Sequence, residues 1–470
     1  MTARGNGIER QIVALGRLMT LCFVSMALGV GYWSILRSPA LSARDDNPRY
    51  VENERRIRRG DILDRNGQPL VQSEPGPSGT WERVYLVPEA APVVGYASID
   101  QGTGGIEASY NGELRGDRVK TPAEQWRDKL LHIHPQGVDV QLSLDAEAQR
   151  VAAQALGDRT GAVVLLDART GDVLAMVSQP TFNPNTLEED WPQLQFNPDK
   201  PMLNRAVQGL YPPGLVFETL TLAAVLEEGL AQPATVYTDP LGVVLDVEPP
   251  ISCPADPPKE TFTLAEAYTW PCSVLFARLG LQLSGDQLAD HITRLGIGRP
   301  IDLPLELSSG QILERGVWTD LIVARTAMGR GEVLVTPVEM AMVVASVAND
   351  GIQASPRLVL QIEGQPAPAP TAPRQVLTQD TARQVQSILA QAIAVRQDDI
   401  PVSTSGIAGR AGAADSGLPG APPHAWFIGF APIKSPRYAV AVIVEHGSEG
   451  WQVAAPVGIQ TLNQAVAAKE

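Results

Sequence analysis

The chain is poor in cysteine, histidine and aromatic residues, with 3 Cys, 5 His and 5% Phe, Trp and Tyr in 470 residues. Three cysteines cannot staple a protein of this size, and none stands in a C-x-x-C pair of the kind that grips zinc. The histidines have no ligand spacing, so neither a metal nor a cofactor is expected. Charge excludes another class. A net charge of −15 repels a phosphate backbone, and nucleic acid is not an expected partner. One stretch lacks charge altogether. Leu18 to Leu36 is long enough to cross a bilayer, and Arg4, Arg10 and Arg17 before it put the N-terminus in the cytoplasm. A cleaved signal peptide is the alternative, with Ser38, Ala40 and Ser42 following the run, but the run is longer than a usual signal core. The expectation is a single-pass anchor in the cell membrane with an extracytoplasmic C-terminal domain.

What is present then divides the chain. Its length calls for more than one folded unit, and 44% hydrophobic residues supply the cores. Residues 1–17 read as a cytoplasmic tail and 18–36 as the transmembrane helix. An arginine-rich stretch, Asn47 to Arg59, reads as a solvated juxtamembrane segment. Asn66-Gly67 marks a tight hairpin, and residues 45–136, irregular and strand-rich, form a small membrane-proximal pedestal. Regular patterning starts at Val138. Asp145 is a plausible N-cap for a helix carrying Ala148, Val151, Ala152 and Ala155 on one face. Ala162–Asp167 and Val173–Ser178 are apolar strands joined by Arg169-Thr-Gly-Asp172. Pro337 suits the first turn of a helix. Ala425–Ala431 and Tyr438–Glu445 are late strands, and Thr461–Ala467 a closing helix. Early and late strands around several helices predict one α+β domain over 138–470, an antiparallel sheet flanked by helices.

The order of five strings identifies the family. They are Arg59-Gly-Asp-Ile-Leu-Asp-Arg-Asn-Gly67, Gly161-Ala-Val-Val-Leu-Leu-Asp-Ala-Arg-Thr-Gly-Asp-Val-Leu-Ala-Met176, Asn204-Arg-Ala-Val-Gln-Gly-Leu-Tyr-Pro-Pro-Gly214, Gly329-Arg-Gly-Glu-Val-Leu-Val-Thr-Pro337 and His424-Ala-Trp-Phe-Ile-Gly-Phe-Ala-Pro432. Over nearly its whole length the chain resembles the class B penicillin-binding proteins, membrane-anchored transpeptidases of peptidoglycan synthesis. Gly95-Tyr96, Gly105-Ile-Glu107 and Tyr110-Asn111 are similar to the short-stalk branch. The resemblance implies the penicillin-binding transpeptidase fold, and it fixes the register of three motifs. Where the family carries Ser-x-x-Lys, the nucleophile and its activating lysine, this chain has Leu215 and Glu218. Ser-x-Asn, three residues before Phe276-Ala-Arg-Leu-Gly280, reads Pro271-Cys272-Ser273. Lys-Thr-Gly reads Arg410-Ala411-Gly412.

On these departures the chain is expected to be a non-enzyme, a scaffold or regulator in peptidoglycan synthesis and cell division. The alternatives are a D,D-transpeptidase with an unusual nucleophile, for which Ser273, Ser403 and Ser405 are candidates, and a muropeptide sensor binding stem peptides weakly through Arg410. None of those serines has a lysine or histidine three residues away. In the family's geometry residues 218 and 410 face each other across a narrow cleft, so Glu218 and Arg410 are expected to pair. The resemblance also implies a polytopic peptidoglycan glycosyltransferase and other cell-wall or divisome proteins as partners. Cys253 and Cys272, exported, are expected to form a disulfide; two free thiols are the alternative.

Overall fold

The structure, a computed structural model, describes residues 5–33, 54–116, 136–238, 259–270, 272–314 and 316–468, with 52, 121, 126, 127, 130 and 131 in isolation. Helix α1 (Gly5–Gly31) contains a 22-residue stretch, Arg10–Gly31, of hydropathy 1.9. At 1.5 Å per residue it measures about 33 Å, long enough to cross a membrane. This span starts before the Leu18 expected from charge alone. Ile12, Val13 and Leu15 extend the apolar surface, all exposed, and Arg17 has a stem long enough to carry its charge toward the interface. The expected end at Leu36 lies outside the described residues.

A six-stranded sheet follows, in the order Gln365–Pro366, Val359–Ile362, Val140–Leu142, Ile62–Leu63, Pro69–Pro75, Trp81–Tyr85. Only the pairing of Ile62–Leu63 with Val140–Leu142 is parallel. The hairpin at Asn66-Gly67 is present. Gly67 has φ 79°, and Asp64 accepts from the Asn66 and Gln68 N–H groups. The sheet draws strands from both sides of residue 137, so the pedestal and the larger unit share backbone hydrogen bonds. At the heart of the pedestal Glu107, 0% exposed, holds Arg59 and Arg83 at 2.6 Å each.

The larger unit is built on strands β1 (Gly161–Asp167), β2 (Val173–Gln179), β3 (Ala408–Ala414), β4 (His424–Ala431) and β5 (Tyr438–Val444), ordered β3-β4-β5-β1-β2 and antiparallel throughout. Around it lie α2 (Ala146–Leu156), α3 (Glu218–Glu227), α4 (Val274–Gln282), α5 (Pro337–Ala348), α6 (Gln379–Arg396) and α7 (Ala455–Ala467). The strands are apolar at nearly every position because both faces are covered. Successive side chains alternate between faces: Val163, Leu165 and Val442 meet α2 and α7, whereas Val164, Leu166 and Ala441 meet the α5 side. Asp145 caps α2, accepting from the Glu147 and Ala148 N–H groups at 3.1 and 3.0 Å. Thr336 and Glu339 form a capping box on α5, with Pro337 in its first turn. The closing helix starts at Ala455, earlier than Thr461, because Val457 and Ile459 already face the core.

Candidate active site

The turn Tyr211-Pro-Pro-Gly214 is fixed before any side-chain chemistry is considered. Tyr211 exchanges backbone hydrogen bonds with Val335, and the Gly214 N–H donates to Gly329 O at 3.0 Å. Gly214 has φ 60°, and a Cβ there would stand 2.2 Å from Ala413 O. Only glycine fits a backbone pressed this closely on β3. Side chains complete the clamp. Trp426 Nε1–H on β4 donates to Pro212 O at 3.0 Å, and Tyr211 Oη–H donates to Glu445 at 2.7 Å, where Arg205 also binds at 2.8 Å. A 3₁₀ turn, Gly214–Phe217, then leads into α3.

That turn sets Leu215 against the edge strand. A Cβ added to Gly412 would lie 2.4 Å from Leu215 Cβ, so glycine at 412 leaves the room that residue 215 occupies. Glu218 begins α3 and meets Arg410 of β3. The expected pairing is present at 2.9 Å, Nη2 donating to Oε2, with side chains 1% and 2% exposed. Tyr268 lies under the guanidinium, 4.7 Å from its ring centroid, and its hydroxyl is 2.7 Å from Thr219 Oγ1. Burial pushes the Glu218 pKa up, against the opposing pull of Arg410, then of Ser273 and Arg330. Ser273, at the mouth of α4 and 9% exposed, therefore lies beside the carboxylate. Two atoms of the ion pair, Glu218 Oε1 and Arg410 Nε, are buried without a hydrogen-bond partner among the described residues.

The other expected positions separate. Ala411 faces away, into the core against α2 and α7. Ser403 and Ser405 are exposed on the approach to β3, and Asn463 Nδ2–H donates to Ser403 O. Pro271 lies outside the described residues. Cys272 is disulfide-bonded; its expected partner Cys253 lies outside the described residues, and Cys22 is free. His424 and His446 show no ligand spacing in the sequence. Their rings stand 5.0 Å apart, with His446 N–H donating to His424 Nδ1 at 3.1 Å, because the chain doubles back after β5. Tyr268 and Thr219 carried no motif and were missed. Among the described residues no three His, Cys, Asp or Glu side chains are grouped as metal ligands.

Residues 161–463 match the profile of the penicillin binding protein transpeptidase domain, and residues 59–140 that of the penicillin binding protein A dimerisation domain. The chain belongs to the penicillin-binding protein transpeptidase family. It is similar to the peptidoglycan D,D-transpeptidase PbpA of Mycolicibacterium smegmatis, 31% identical with 98% of this chain and 99% of the relative covered. The PbpA of Mycobacterium tuberculosis is 29% identical over 94% and 96%. Among solved structures, the imipenem acyl-enzyme complex of penicillin-binding protein A from M. tuberculosis superposes with a TM-score of 0.79 at 28% identity, covering 88% of this chain and 100% of that one.

These relatives correct one expectation. The chain was expected to be no enzyme; relatives matching it end to end are named D,D-transpeptidases, and a neighbour of the same fold forms an acyl-enzyme. The family points to an enzyme. The expectation went astray by weighing a few motif side chains alone, while the family match runs over residues 59–140 and 161–463.

Proposed function

We propose that this chain is a peptidoglycan D,D-transpeptidase in which the hydroxyl of Ser273, not residue 215, is the nucleophile. Leu215 has no atom able to attack a carbonyl. The observation that carries the reading is a serine beside a buried carboxylate whose proton affinity is raised, the pairing of nucleophile and base that acyl transfer requires. Sequence spacing could not reveal it, because the base comes from α3 and the serine from α4.

In this reaction Arg410 holds the terminal carboxylate of a stem peptide. Glu218 takes the proton of Ser273 Oγ as that oxygen bonds to the carbonyl carbon of the penultimate D-alanine. The C–N bond then breaks, and the departing D-alanine amine leaves with the proton from Glu218. An amine of a second stem attacks the resulting ester, forms the cross-link and restores the Ser273 hydroxyl. Leu215 contributes an apolar wall beside Gly412.

The α1 helix anchors the protein in the cell membrane, N-terminus in the cytoplasm, with the pedestal (45–136) lifting the transpeptidase unit (138–470) on the outer side. Its partner is a polytopic peptidoglycan glycosyltransferase of the wall or division machinery, contacted through α1 and the pedestal. Membership of a family of wall-synthesis proteins supports this assignment.

Fluorescent penicillin on the full-length protein in detergent, followed by intact mass and peptide mapping, tests the chemistry. The expected result is one adduct on Ser273, lost in Ser273→Ala. An adduct elsewhere, or none, overturns the assignment. Copurification from membranes with a polytopic protein checks the partner.

A further inference from the structure

The ion pair at the centre of the site is only half made. A guanidinium offers a carboxylate two parallel N–H donors, and paired carboxylates commonly use both. Arg410 gives Glu218 only Nη2–H, at 2.9 Å. Among the described residues Arg410 Nε is left with no acceptor and Glu218 Oε1 with no donor at hydrogen-bond distance, both sealed from solvent, with Ser273 close enough to pull the carboxyl's pKa down. Buried polar atoms are rarely left so, and two in one ion pair call for an explanation. Among the described residues nothing fills the gap. Tyr268 meets Arg410 with its ring and spends its hydroxyl on Thr219. Ser273 stands on the Glu218 side.

We infer that Glu218 is an internal stand-in for a ligand carboxylate on Arg410, and that a ligand enters by exchanging its own carboxylate for that of Glu218. The exchange satisfies both orphaned atoms. The incoming carboxylate accepts from Nε and Nη2 together, and the released Glu218 turns to the Ser273 hydroxyl. The guanidinium keeps a carboxylate partner at every stage, and the released Glu218 carboxylate, left without a cation, is held by the Ser273 hydroxyl and by water that enters with the ligand. Glu218 thereby becomes a specificity-determining residue. A ligand with a free carboxylate opens the site, and one with a terminal amide does not. The link to Ser273 rests on the function proposed above; the exchange on Arg410 does not depend on it.

The probes are acetyl-D-alanyl-D-alanine and its C-terminal amide, titrated by calorimetry and ligand-detected NMR into the full-length protein in detergent. Wild type should bind the acid at least about tenfold tighter than the amide, the discrimination expected of a buried charged hydrogen-bond pair. Glu218→Gln removes the competitor and should tighten the acid by about tenfold more while leaving the amide unchanged. Should Glu218→Gln fail to fold with Arg410 unpaired, Glu218→Asp keeps the charge on a shorter stem and should also bind the acid more tightly than wild type. Equal binding of acid and amide to wild type overturns the inference, as does a foldable variant that gains nothing for the acid. Absence of a penicillin adduct on Ser273 alongside intact exchange would reject the nucleophile and keep the exchange.

Discussion

Replacing Glu107 by alanine should loosen the whole pedestal. Glu107 is 0% exposed and accepts from Arg59 Nη2 and Arg83 Nε, each at 2.6 Å, while Arg59 also reaches Asn111 at 2.8 Å and Arg83 reaches Gly60 O at 2.8 Å. One carboxylate thus ties the strand Trp81–Tyr85, the segment entering Ile62–Leu63 and the short helix Gly105–Ser109. The Arg59 and Arg83 side chains are 15% and 8% exposed, so neither can recover its hydration without opening the module. Removing one partner of a buried ion pair costs about 3–5 kcal/mol, because a charge is left behind rather than because the pair was worth that much. At about 2 °C per kcal/mol for a large unit, the melting temperature in detergent should fall by roughly 6–10 °C. Glu107→Gln keeps one acceptor and should lose about half as much. The decisive comparison is Arg83→Met in the Glu107→Ala background. It removes one stranded cation and should recover part of the loss. A fall below about 2 °C for Glu107→Ala would mean the guanidinium groups rehydrate in place, and the account of the Arg59-Gly-Asp segment as the pedestal's fastening would be wrong.

Three further outcomes are expected. Cys272→Ser should lower stability by about 3 kcal/mol, the entropy of a loop of about 20 residues, and a reductant should do the same to wild type in a thermal melt; a reductant without effect argues against the bridge. Burial and neighbouring His446 push the His424 pKa below its ordinary value, with weaker opposition from Glu445 and Asp415, and Nδ1 accepts the His446 N–H, so the fold holds a neutral ring. That contribution is complete above the ordinary histidine range and is lost as pH falls through the lowered value, so the stability gap between wild type and His424→Gln should shrink from about pH 7 to pH 5; a gap that widens on acidification refutes it. Trp426→Phe deletes the donor to Pro212 O and should cost about 1 kcal/mol, with a slower rate of penicillin labelling at Ser273; an unchanged rate would show the turn holds without it.

The sequence carried the sheet well where apolar runs were long. β1, β2, β4 and β5 fall within a residue or two of the runs that predicted them, because covering both faces confines polar residues to the strand ends, at Asp167, Ser178 and His424. Strand β3 was legible only by register with the family. Its Ala408-Gly-Arg-Ala-Gly-Ala-Ala414 is built of small residues, since Leu215 and Gly450 approach its backbone closely, and small residues carry little strand signal. The pairing of Glu218 with Arg410 was visible because both positions had fixed counterparts across one cleft. Tyr268, Thr219 and the closeness of His424 to His446 were not, because they arise from segments far apart in sequence with no periodicity linking them. The bridging sheet was hidden for the same reason, Val359–Ile362 being too short to announce its partner Val140–Leu142.

Position and chemistry are enforced here by different atoms, so the turn does not depend on what residues 215 and 218 carry. The turn is held through backbone, by Tyr211 against Val335 and Gly214 against Gly329, and through the Trp426 and Glu445 side chains, none of which reads what residues 215 and 218 carry. Leucine at 215 needs only an open space over Gly412. A carboxylate at 218 needs more. With 1% of its side chain exposed, it must find a cation or stay protonated, and among the described residues the cation bonded to it is Arg410. Lysine there would present a compact charge. Arginine presents a fork, one tine of which is occupied by Glu218 and the other left open. Glu218 and Arg410 therefore act as one unit. The carboxylate keeps the buried guanidinium neutralised while the site is closed, and the unfilled Nε is what makes a second carboxylate a better partner than the one already there.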